Sequence, residues 1–357
     1  MATAILNRLK KMNLNLRIMH VCGTHQDTLE RYGLAVPLKD CGIVVHQGPG
    51  CPVCVTTDRE YEMAKTLAKK GITIATFGDA ARVPVRQKSL LDLRGEGCDI
   101  RIVYGVSDAL ELARERDRQM VFLGVGFETT APGTATCLLN GPPSGFSVLS
   151  CHRYVPPVLD ALLGIGEFLI DGLILPGHVS TIIGVHPYEA LAEKHKLPQV
   201  VAGFEPLDLL MAVYMIAQQV KNGDARVENE YGRAVRYEGN IRALKILDEV
   251  FEPRGVAWRG FPSIPNSGMA IKKRFSSWDA ERIFEDDLAK LPDLREPLDC
   301  HCGEILRALL EPHECPLFAK VCTPTTPVGP CMVSMEGACN IEYKHSAYQR
   351  DRAHHSA

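Results

Sequence analysis

Two cysteines in C-x-x-C spacing, Cys51 and Cys54, stand in the stretch His46-Gln-Gly-Pro-Gly-Cys-Pro-Val-Cys. A hydrophobic run over 43–45 leads into this Gly/Pro turn, and Thr57-Asp-Arg-Glu60 is a capping box that begins a helix behind it. The positive end of a helix favours a thiolate, so the pattern predicts a presented, partly exposed and reactive pair. Such a pair serves as a redox dithiol, as half of a zinc site or in an iron site, and the turn alone leaves all three open.

A second candidate is Cys22-Gly-Thr-His25. Cys22 ends a predicted strand, and His25 falls on the first turn of the helix that follows. A thiolate and an imidazole at this spacing bind iron or act as nucleophile and base. The structural alternative is a buried cysteine followed by a histidine near a helix start, and the two readings carry equal weight.

Glu128, Thr129 and Thr130 follow the hydrophobic run 120–125. We expect them to line a cleft as proton relays or hydrogen-bond donors. The stretch has two glycines of a dinucleotide loop but Thr129 in place of the third, and it lacks the lysine of a P-loop, so nucleotide binding is the weaker interpretation. His178, in Pro-Gly-His-Val-Ser, has a functional role if it faces the same cleft and otherwise belongs to a strand-to-helix turn.

Six of the thirteen cysteines lie after residue 299. Cys315, Cys322, Cys331 and Cys339 are separated by six, eight and seven residues in a stretch rich in proline and glycine. Four thiolates on irregular backbone hold a [4Fe–4S] cluster or a zinc ion. Zinc sites usually contain tight C-x2–4-C pairs, so the wide gaps favour the cluster. Cys302 is a further candidate, so five cysteines compete for four positions.

The 357 residues are 46 % hydrophobic with a net charge of -3, which gives no electrostatic case for binding nucleic acid or an anionic membrane. The N-terminus lacks the apolar core of a signal peptide, and no run approaches the length of a membrane span. A cytoplasmic location is expected. There, many cysteines indicate metal or redox chemistry rather than a disulfide framework.

Hydrophobic runs that alternate with helical segments must position these residues. They predict an α/β fold with two similar parallel-sheet domains of four strands each, facing a cleft, because ligands bind beyond the carboxyl ends of parallel strands. An irregular or helical iron–sulfur domain follows, with 255–299 irregular. The predicted division is an N-terminal helix 1–16, α/β domains 17–107 and 108–225, the C-terminal domain 226–345 and a disordered tail 346–357.

Taken together, the motifs resemble the HypD family of hydrogenase maturation factors over roughly 17–345. Those that carry the resemblance are Cys22-Gly-Thr-His25, Gly48-Pro-Gly-Cys51-Pro-Val-Cys54, Phe77-Gly-Asp79-Ala-Ala-Arg82-Val-Pro84, Gly126-Phe-Glu128-Thr-Thr130-Ala-Pro132, Pro176-Gly-His178-Val-Ser180, Gly203-Phe-Glu205-Pro-Leu-Asp208 and the C-terminal cysteines. The set is highly specific, although no single motif is.

The resemblance implies a cytoplasmic scaffold that builds the Fe(CN)2CO unit of [NiFe]-hydrogenases. The implied partners are a HypC-type small chaperone that shares the iron, a HypE-type donor of cyanide and, indirectly, the hydrogenase large subunit. Carried over by motif, Cys22 is the iron ligand with His25 close by, Cys51 and Cys54 are the redox dithiol, and the C-terminal cysteines hold a [4Fe–4S] cluster. The arrangement is similar to that of ferredoxin–thioredoxin reductases.

Two positions depart from the family pattern. Some members lack a cysteine at the place of Cys331, which would make Cys302 the fourth cluster ligand. Gln26 stands where an acidic residue is common. An electron relay from the cluster through the dithiol to iron at Cys22 also requires the loop 315–339 to fold back against residue 51.

Other functions compete with this one. A general iron–sulfur thiol-disulfide oxidoreductase would reduce protein disulfides and hold no iron besides its cluster. A zinc-stabilised binding module would be colourless. Nucleotide hydrolysis on the Gly124 loop has no clearly placed lysine or metal-binding carboxylate.

Overall fold

The computed structural model describes residues 1–115, 118–167, 169–292, 294 and 299–345; the predicted tail 346–357 lies outside these ranges. Its strands are β1 (Leu16–His20), β2 (Ile43–Gln47), β3 (Thr73–Thr76), β4 (Ile100–Ile102), β5 (Met120–Gly126), β6 (Phe146–His152), β7 (Gly172–Pro176), β8 (Gln199–Ala202), β9 (Val227–Asn229), β10 (Phe251–Trp258) and β11 (Phe261–Ile271).

The longer helices connect the parallel strands, and short helices follow in the C-terminal part. The α-helices are α1 (Ala2–Met12), α2 (Gly23–Arg31), α3 (Ala35–Lys39), α4 (Pro52–Val55), α5 (Asp58–Lys69), α6 (Leu90–Gly95), α7 (Val106–Arg114), α8 (Ala131–Leu139), α9 (Val155–Ile165), α10 (Gly177–Ile183), α11 (His186–His195), α12 (Pro206–Asn222), α13 (Ile241–Val250), α14 (Ala280–Ile283), α15 (Glu285–Leu288), α16 (Cys302–Leu306) and α17 (Pro330–Val333). Short 3-10 helices span Ala80–Arg82, Lys273–Trp278 and Pro312–Glu314.

Two parallel sheets confirm the predicted α/β class. The first has five strands in the order β2-β1-β7-β8-β9, and the second has four in the order β4-β3-β5-β6. The strands do not divide into the two sequential halves that the sequence suggested, because β7 pairs with β1 through Ile18 and Gly172. The chain therefore starts the first sheet, completes the second, and returns to finish the first.

The central strands of both sheets are short hydrophobic runs packed on both faces. Every residue of β5, β6 and β7 is buried, which is the pattern of a parallel sheet covered by helices. The predicted capping box at Thr57 is present, so α5 begins directly behind the C-x-x-C turn. No helix in the described ranges is both long enough and apolar enough to cross a bilayer.

The part after residue 226 is more ordered than the sequence indicated. The charged stretch that follows it supplies β9, the edge strand of the first sheet. The predicted irregular segment 255–299 instead contains most of the antiparallel hairpin of β10 and β11. The sequence pattern did not indicate this hairpin because the segment contains Pro253, Pro262 and Pro265. A two-stranded ribbon nevertheless tolerates proline, since each strand has one free edge.

Candidate functional site

Four neighbouring strands of the first sheet end at the same edge, and each is followed by a predicted motif. β2 leads to the Cys51 turn, β1 to Cys22, β7 to His178 and β8 to Phe204. Because all these strands are parallel, their carboxyl ends meet. The fold thus brings together motifs as far apart in the sequence as Cys22 and Phe204, and builds one site from them.

Cys22 caps the start of α2 and is buried. Burial raises the pKa of its thiol to about 11, and the nearby carboxylate of Glu336 acts in the same direction, while hydrogen bonds from the amides of His25 and Thr24 oppose it. A buried thiol of this kind stays protonated until a cation or base draws off its proton. A metal ion that bound Cys22 would therefore have to displace this proton.

His25 is fully buried on the first turn of α2. Its Nε2 lies 3.0 Å from the carbonyl oxygen of Gly203 and 3.3 Å from that of Ala202. Since carbonyl oxygens only accept, Nε2 carries the hydrogen and Nδ1 keeps its lone pair. Within the described ranges Nδ1 has no hydrogen-bond partner. Burial, with His20 nearby, lowers the pKa of His25 to about 3, so the ring is a neutral potential ligand.

The glutamine that departs from the family pattern has a defined partner. Gln26 Oε1 lies 2.7 Å from Nε2 of buried His20, and Gln26 Nε2 donates to Glu30 at 3.3 Å. Because the amide oxygen accepts, it fixes the hydrogen of His20 on Nε2. Gln26 thus orients a second neutral imidazole, with a pKa lowered to about 4 mainly by burial, two residues before Cys22.

His178 reaches the same edge but not the same depth. It is exposed, and its ring stacks on Phe204 with centroids 3.8 Å apart. Phe204 in turn stacks on His25 at 5.0 Å. The aromatic ring separates the two imidazoles, so His178 belongs to the surface over the site and not to its interior.

The C-x-x-C turn packs directly on Cys22. A side chain at Gly50 would overlap the backbone of Val21 and the amide of Cys22. Cys51 and Cys54 form a disulfide, and Cys51 Sγ accepts from the amide of Cys54 at 3.1 Å. The expectation of a partly exposed pair was wrong, because both cysteines have 0 % relative exposure. The burial comes from segments distant in sequence.

One of those segments is the C-terminal cysteine loop. Cys54 Sγ lies 3.9 Å from the carbonyl oxygen of Pro330, where α17 packs against α4. Pro330 directly precedes Cys331. The return of the loop 315–339 to residue 51, which an electron relay requires, is therefore confirmed.

The C-terminal cysteines surround a small pocket. It is lined by five cysteines and His301 together with apolar side chains: Cys300, Cys302, Cys315, Cys322 and Cys339, with Ile305, Leu317, Phe318 and Met332. Cys331 does not line it; this thiol is fully buried behind, hydrogen-bonded to Cys302 and Cys339, which lowers its pKa to about 6. In the ranges that the structure describes, no three His, Cys, Asp or Glu side chains converge as ligands of a single metal ion.

The donor set of this pocket fits an iron–sulfur cluster. Sulfur ligands in an apolar, largely enclosed setting are what such clusters use. Gly329 completes the wall, because a Cβ there would meet the sulfurs of Cys300 and Cys302, which are 3.3 Å apart. A larger residue would fill the space beside the thiols. Cys300 was not among the predicted ligands, although its spacing from Cys302 was visible in the sequence.

The predicted residues after β5 lie apart from this edge. Glu128 is buried, and its Oε1 accepts the amide of Val155 at 2.9 Å, while Oε2 has no partner in the described structure. Burial raises the pKa of Glu128 to about 7. Thr129 and Thr130 are exposed, and Thr130 Oγ1 donates to the carbonyl of Phe127 at 3.3 Å. The second sheet therefore supplies a buried carboxyl group, while both threonines lie on the exposed surface.

A buried tyrosine lies between the two groups of residues. Burial raises the pKa of Tyr188, and the charges of Glu128 and Cys22 act in the same direction. Its hydroxyl lies 3.4 Å from Ser180 Oγ. Tyr188 is thus within electrostatic range of both Glu128 and Cys22.

Glu336, near Cys22, and Asp79, near Glu336, were missed as site residues. Glu336 packs on Gly23, and its pKa is raised to about 7 by burial and by Asp79. Asp79 Oδ2 accepts from Ser334 Oγ at 3.2 Å. Asp79 could have been found from its place after β3 in Phe-Gly-Asp. Glu336 is marked in the sequence by nothing except its position three residues before Cys339.

Comparison with known proteins agrees with these motifs. The HypD family, described as "Hydrogenase formation hypA family", matches residues 1–346. A Methanocaldococcus jannaschii protein named for hydrogenase expression/formation is 50 % identical over 346 residues, 95 % of each chain. The hydrogenase maturation factor HypD of Cupriavidus necator is 41 % identical over 344 residues, 93 % of this chain and 90 % of that protein. The chain belongs to the HypD family of hydrogenase formation proteins.

Proposed function

We propose that this chain is a scaffold and redox protein for assembling the Fe(CN)2CO unit of [NiFe]-hydrogenases. It binds iron together with a HypC-type small chaperone and accepts cyanide from a HypE-type donor. The observation that carries the proposal is the contact of three elements: the Cys51 turn packs on Cys22 on one side, and Cys54 packs on Pro330 of the cysteine loop on the other. Family membership supports the maturation role.

The iron is the cargo of this reaction, and Cys22 is its proposed anchor. A thiolate and a neutral imidazole suit iron(II), and a thiolate-bound iron(II) is soft enough to take up cyanide and CO. Nδ1 of His25, which keeps its lone pair, is the second candidate donor. The Glu336 carboxyl group beside Cys22, with its pKa near 7, is suited to take the proton that Cys22 loses.

The Cys51–Cys54 pair supplies electrons in this proposal. Release of cyanide from a thiocyanate carried by the donor breaks an S–C bond and consumes two electrons, leaving a thiolate on the donor. Oxidation of the dithiol forms one S–S bond and provides those two electrons with two protons. Gly50, which directly precedes Cys51, contacts the backbone of Val21 and Cys22, and this contact supports a position of the pair near the proposed iron site.

Cys302, Cys315, Cys322 and Cys339 are the proposed holders of a [4Fe–4S] cluster, with Cys300 as the competing thiol. When bound, such a cluster supplies electrons one at a time. Support comes from the five thiols that line the pocket and from the position of Cys331 behind it. Pro330 carries the contact between this pocket and the disulfide.

A general thiol-disulfide oxidoreductase is the alternative from another class. Its substrate disulfide would have to touch Cys51 or Cys54 in the mixed-disulfide step. Both cysteines have 0 % relative exposure, so a protein disulfide cannot reach them in this conformation. The burial instead favours a dithiol that serves a site inside the same molecule.

The test is a stoichiometry. The reduced, iron-loaded full chain is mixed anaerobically with a HypE-type partner that carries a thiocyanate, and released cyanide and remaining thiols are counted. We expect one Cys51–Cys54 disulfide for each cyanide released, and no release above background with Cys51→Ser. Cyanide release that leaves both thiols reduced would overturn the proposed redox role.

A further inference from the structure

The tip of the β10–β11 hairpin contacts both α4, which carries Cys54, and Gly303 at the start of α16. The amide of Arg259 donates to the carbonyl of Val55 at 2.9 Å, at the end of α4. Gly260, with a φ of +79°, is in such close contact with Gly303 that a Cβ there would overlap its backbone. Gly303 directly follows Cys302. One turn therefore touches the helix of the C-x-x-C motif and the neighbour of a cluster-pocket cysteine.

The guanidinium of Arg259 is buried at this tip, with only 2 % of the residue exposed. Nε donates to the carbonyl oxygen of Cys54 at 3.1 Å, and Nη2 donates to that of Thr56 at 3.0 Å. Nη2 also pairs with Oδ1 of Asp58 at 2.6 Å. A full positive charge thus lies on the carbonyl of a disulfide cysteine and is paired with the buried carboxylate of Asp58.

Nothing in the hydrogenase-maturation chemistry derived above uses this charge. Buried arginines are costly unless they are paired and hydrogen-bonded, so a chain that keeps one here gains something from its position. The contacts to Cys54, Val55 and Thr56 involve the carbonyl groups at the C-terminal end of α4, which carry partial negative charge. The charge of Arg259 also acts on the cysteine pocket. The pKa of Cys300 is raised mainly by hydrogen bonding with Cys302, and Arg259 opposes this rise.

We propose that Arg259 is a positioning residue that sets the thiol–disulfide equilibrium of Cys51 and Cys54, and that the carboxylate of Asp58 opposes its effect. This proposal rests on the redox role proposed for the Cys51–Cys54 pair. Its test measures only the thiol–disulfide equilibrium of the pair and needs neither iron nor cyanide. If the titration shows no effect of Arg259, the cyanide stoichiometry still tests the redox role. If the stoichiometry fails, the titration still tests the effect of Arg259.

The direction of the effect follows from charge. Reduction of the disulfide adds two electrons and two protons and converts one S–S bond into two thiols, of which one or both ionise as the pH rises. A fixed positive charge stabilises a thiolate and so favours the reduced pair. The carboxylate of Asp58 offsets part of this effect, so that removing the arginine charge and removing the aspartate charge must act in opposite directions.

The experiment titrates the full chain, purified anaerobically, in mixtures of reduced and oxidised dithiothreitol at pH 8. Alkylation and peptide mass analysis then give the fraction of reduced Cys51 and Cys54. We expect Arg259→Met to make the disulfide about tenfold harder to reduce, which is about 30 mV for a two-electron couple. Asp58→Asn should make it easier to reduce, and Arg259→Lys, which keeps the charge, should stay near the unaltered chain.

Arg254→Gln is the matched control, since Arg254 lies on β10, shortly before the turn that carries Arg259, and is ion-paired to Glu281. The described part of the chain shows no hydrogen bond from Arg254 to α4. Arg254→Gln should leave the equilibrium unchanged. If Arg259→Met does not fold, Asp58→Asn decides: a shift towards the dithiol supports the proposal, and no shift or the opposite shift overturns it. Equal shifts of Arg259→Met and Asp58→Asn in one direction also overturn it, because they indicate a structural role alone.

Discussion

Gly50 rests on the backbone of Cys22, with no room for a side chain between them. This contact joins the disulfide turn to the cysteine that we propose as the iron anchor. It also explains the Gly-Pro-Gly sequence of the turn, because the end of β2 packs directly against the end of its neighbour β1. The distance between the proposed electron source and the proposed iron position is thus fixed by backbone packing and not by flexible side chains.

Gly50→Ala tests this contact. The added methyl group overlaps backbone atoms that cannot rotate away, so we expect a loss of about 1–3 kcal/mol in the free energy of unfolding. Urea denaturation under anaerobic conditions measures it. Gly164→Ala is the control, because Gly164 lies in α9 with open space around it and should be neutral or slightly stabilising. A Gly50→Ala protein as stable as the unaltered chain would contradict the packing described here.

The position of Cys331 behind the pocket leads to a second prediction. Cys315→Ala or Cys339→Ala should remove the visible absorbance and the iron of the bound cluster, because these thiols line the pocket. Cys331→Ala should keep both, although deleting a fully buried thiol will reduce stability somewhat. Cys98→Ala, outside the pocket, controls for the loss of any cysteine. Bleaching by Cys331→Ala with retention in Cys302→Ala would reverse the proposed ligand set.

Glu128 predicts a pH dependence of stability. The pKa of a free glutamate is 4.5, and burial raises that of Glu128 to about 7. Between these values the folded chain holds a proton that the unfolded chain has lost, so this group's contribution to stability falls as the pH rises. The loss amounts to about 3 kcal/mol and is complete above pH 7.

Glu128→Gln removes this titration while its amide oxygen can still accept from Val155. Its stability relative to the unaltered chain should therefore improve steadily from about pH 4.5 to about pH 7 and then level off. Urea denaturation at several pH values across this window measures the difference, with exposed Glu252→Gln as the control. A difference that does not change with pH would show that Glu128 ionises normally.

Much of the site was visible in the sequence. Each functional motif was placed correctly after a hydrophobic run, because a parallel strand that ends in Gly, Cys or His leaves a clear local pattern. Which sheet each strand joins was not visible, since β7 resembles any other buried strand and only its pairing with β1 places it. The burial of Cys51 and Cys54 was missed for the same reason.

That burial depends on Pro330 and on Arg259, which are more than 200 residues away along the chain. A C-x-x-C turn before a helix indicates reactivity, but it contains no information on what will cover it. Arg259 itself gave no signal, since it lies in a stretch where prolines suggested irregular structure. Contacts between distant segments, rather than local propensity, thus decide the environment of the disulfide.

The central claim is that Cys22 anchors the iron that receives cyanide and CO. Infrared spectra of the anaerobic complex with a HypC-type chaperone test it most directly, comparing the unaltered chain with Cys22→Ala. We expect CO and cyanide bands in the unaltered complex and their loss in Cys22→Ala, while the visible absorbance of the cluster remains. CO and cyanide bands that persist in Cys22→Ala would show that Cys22 does not anchor the iron.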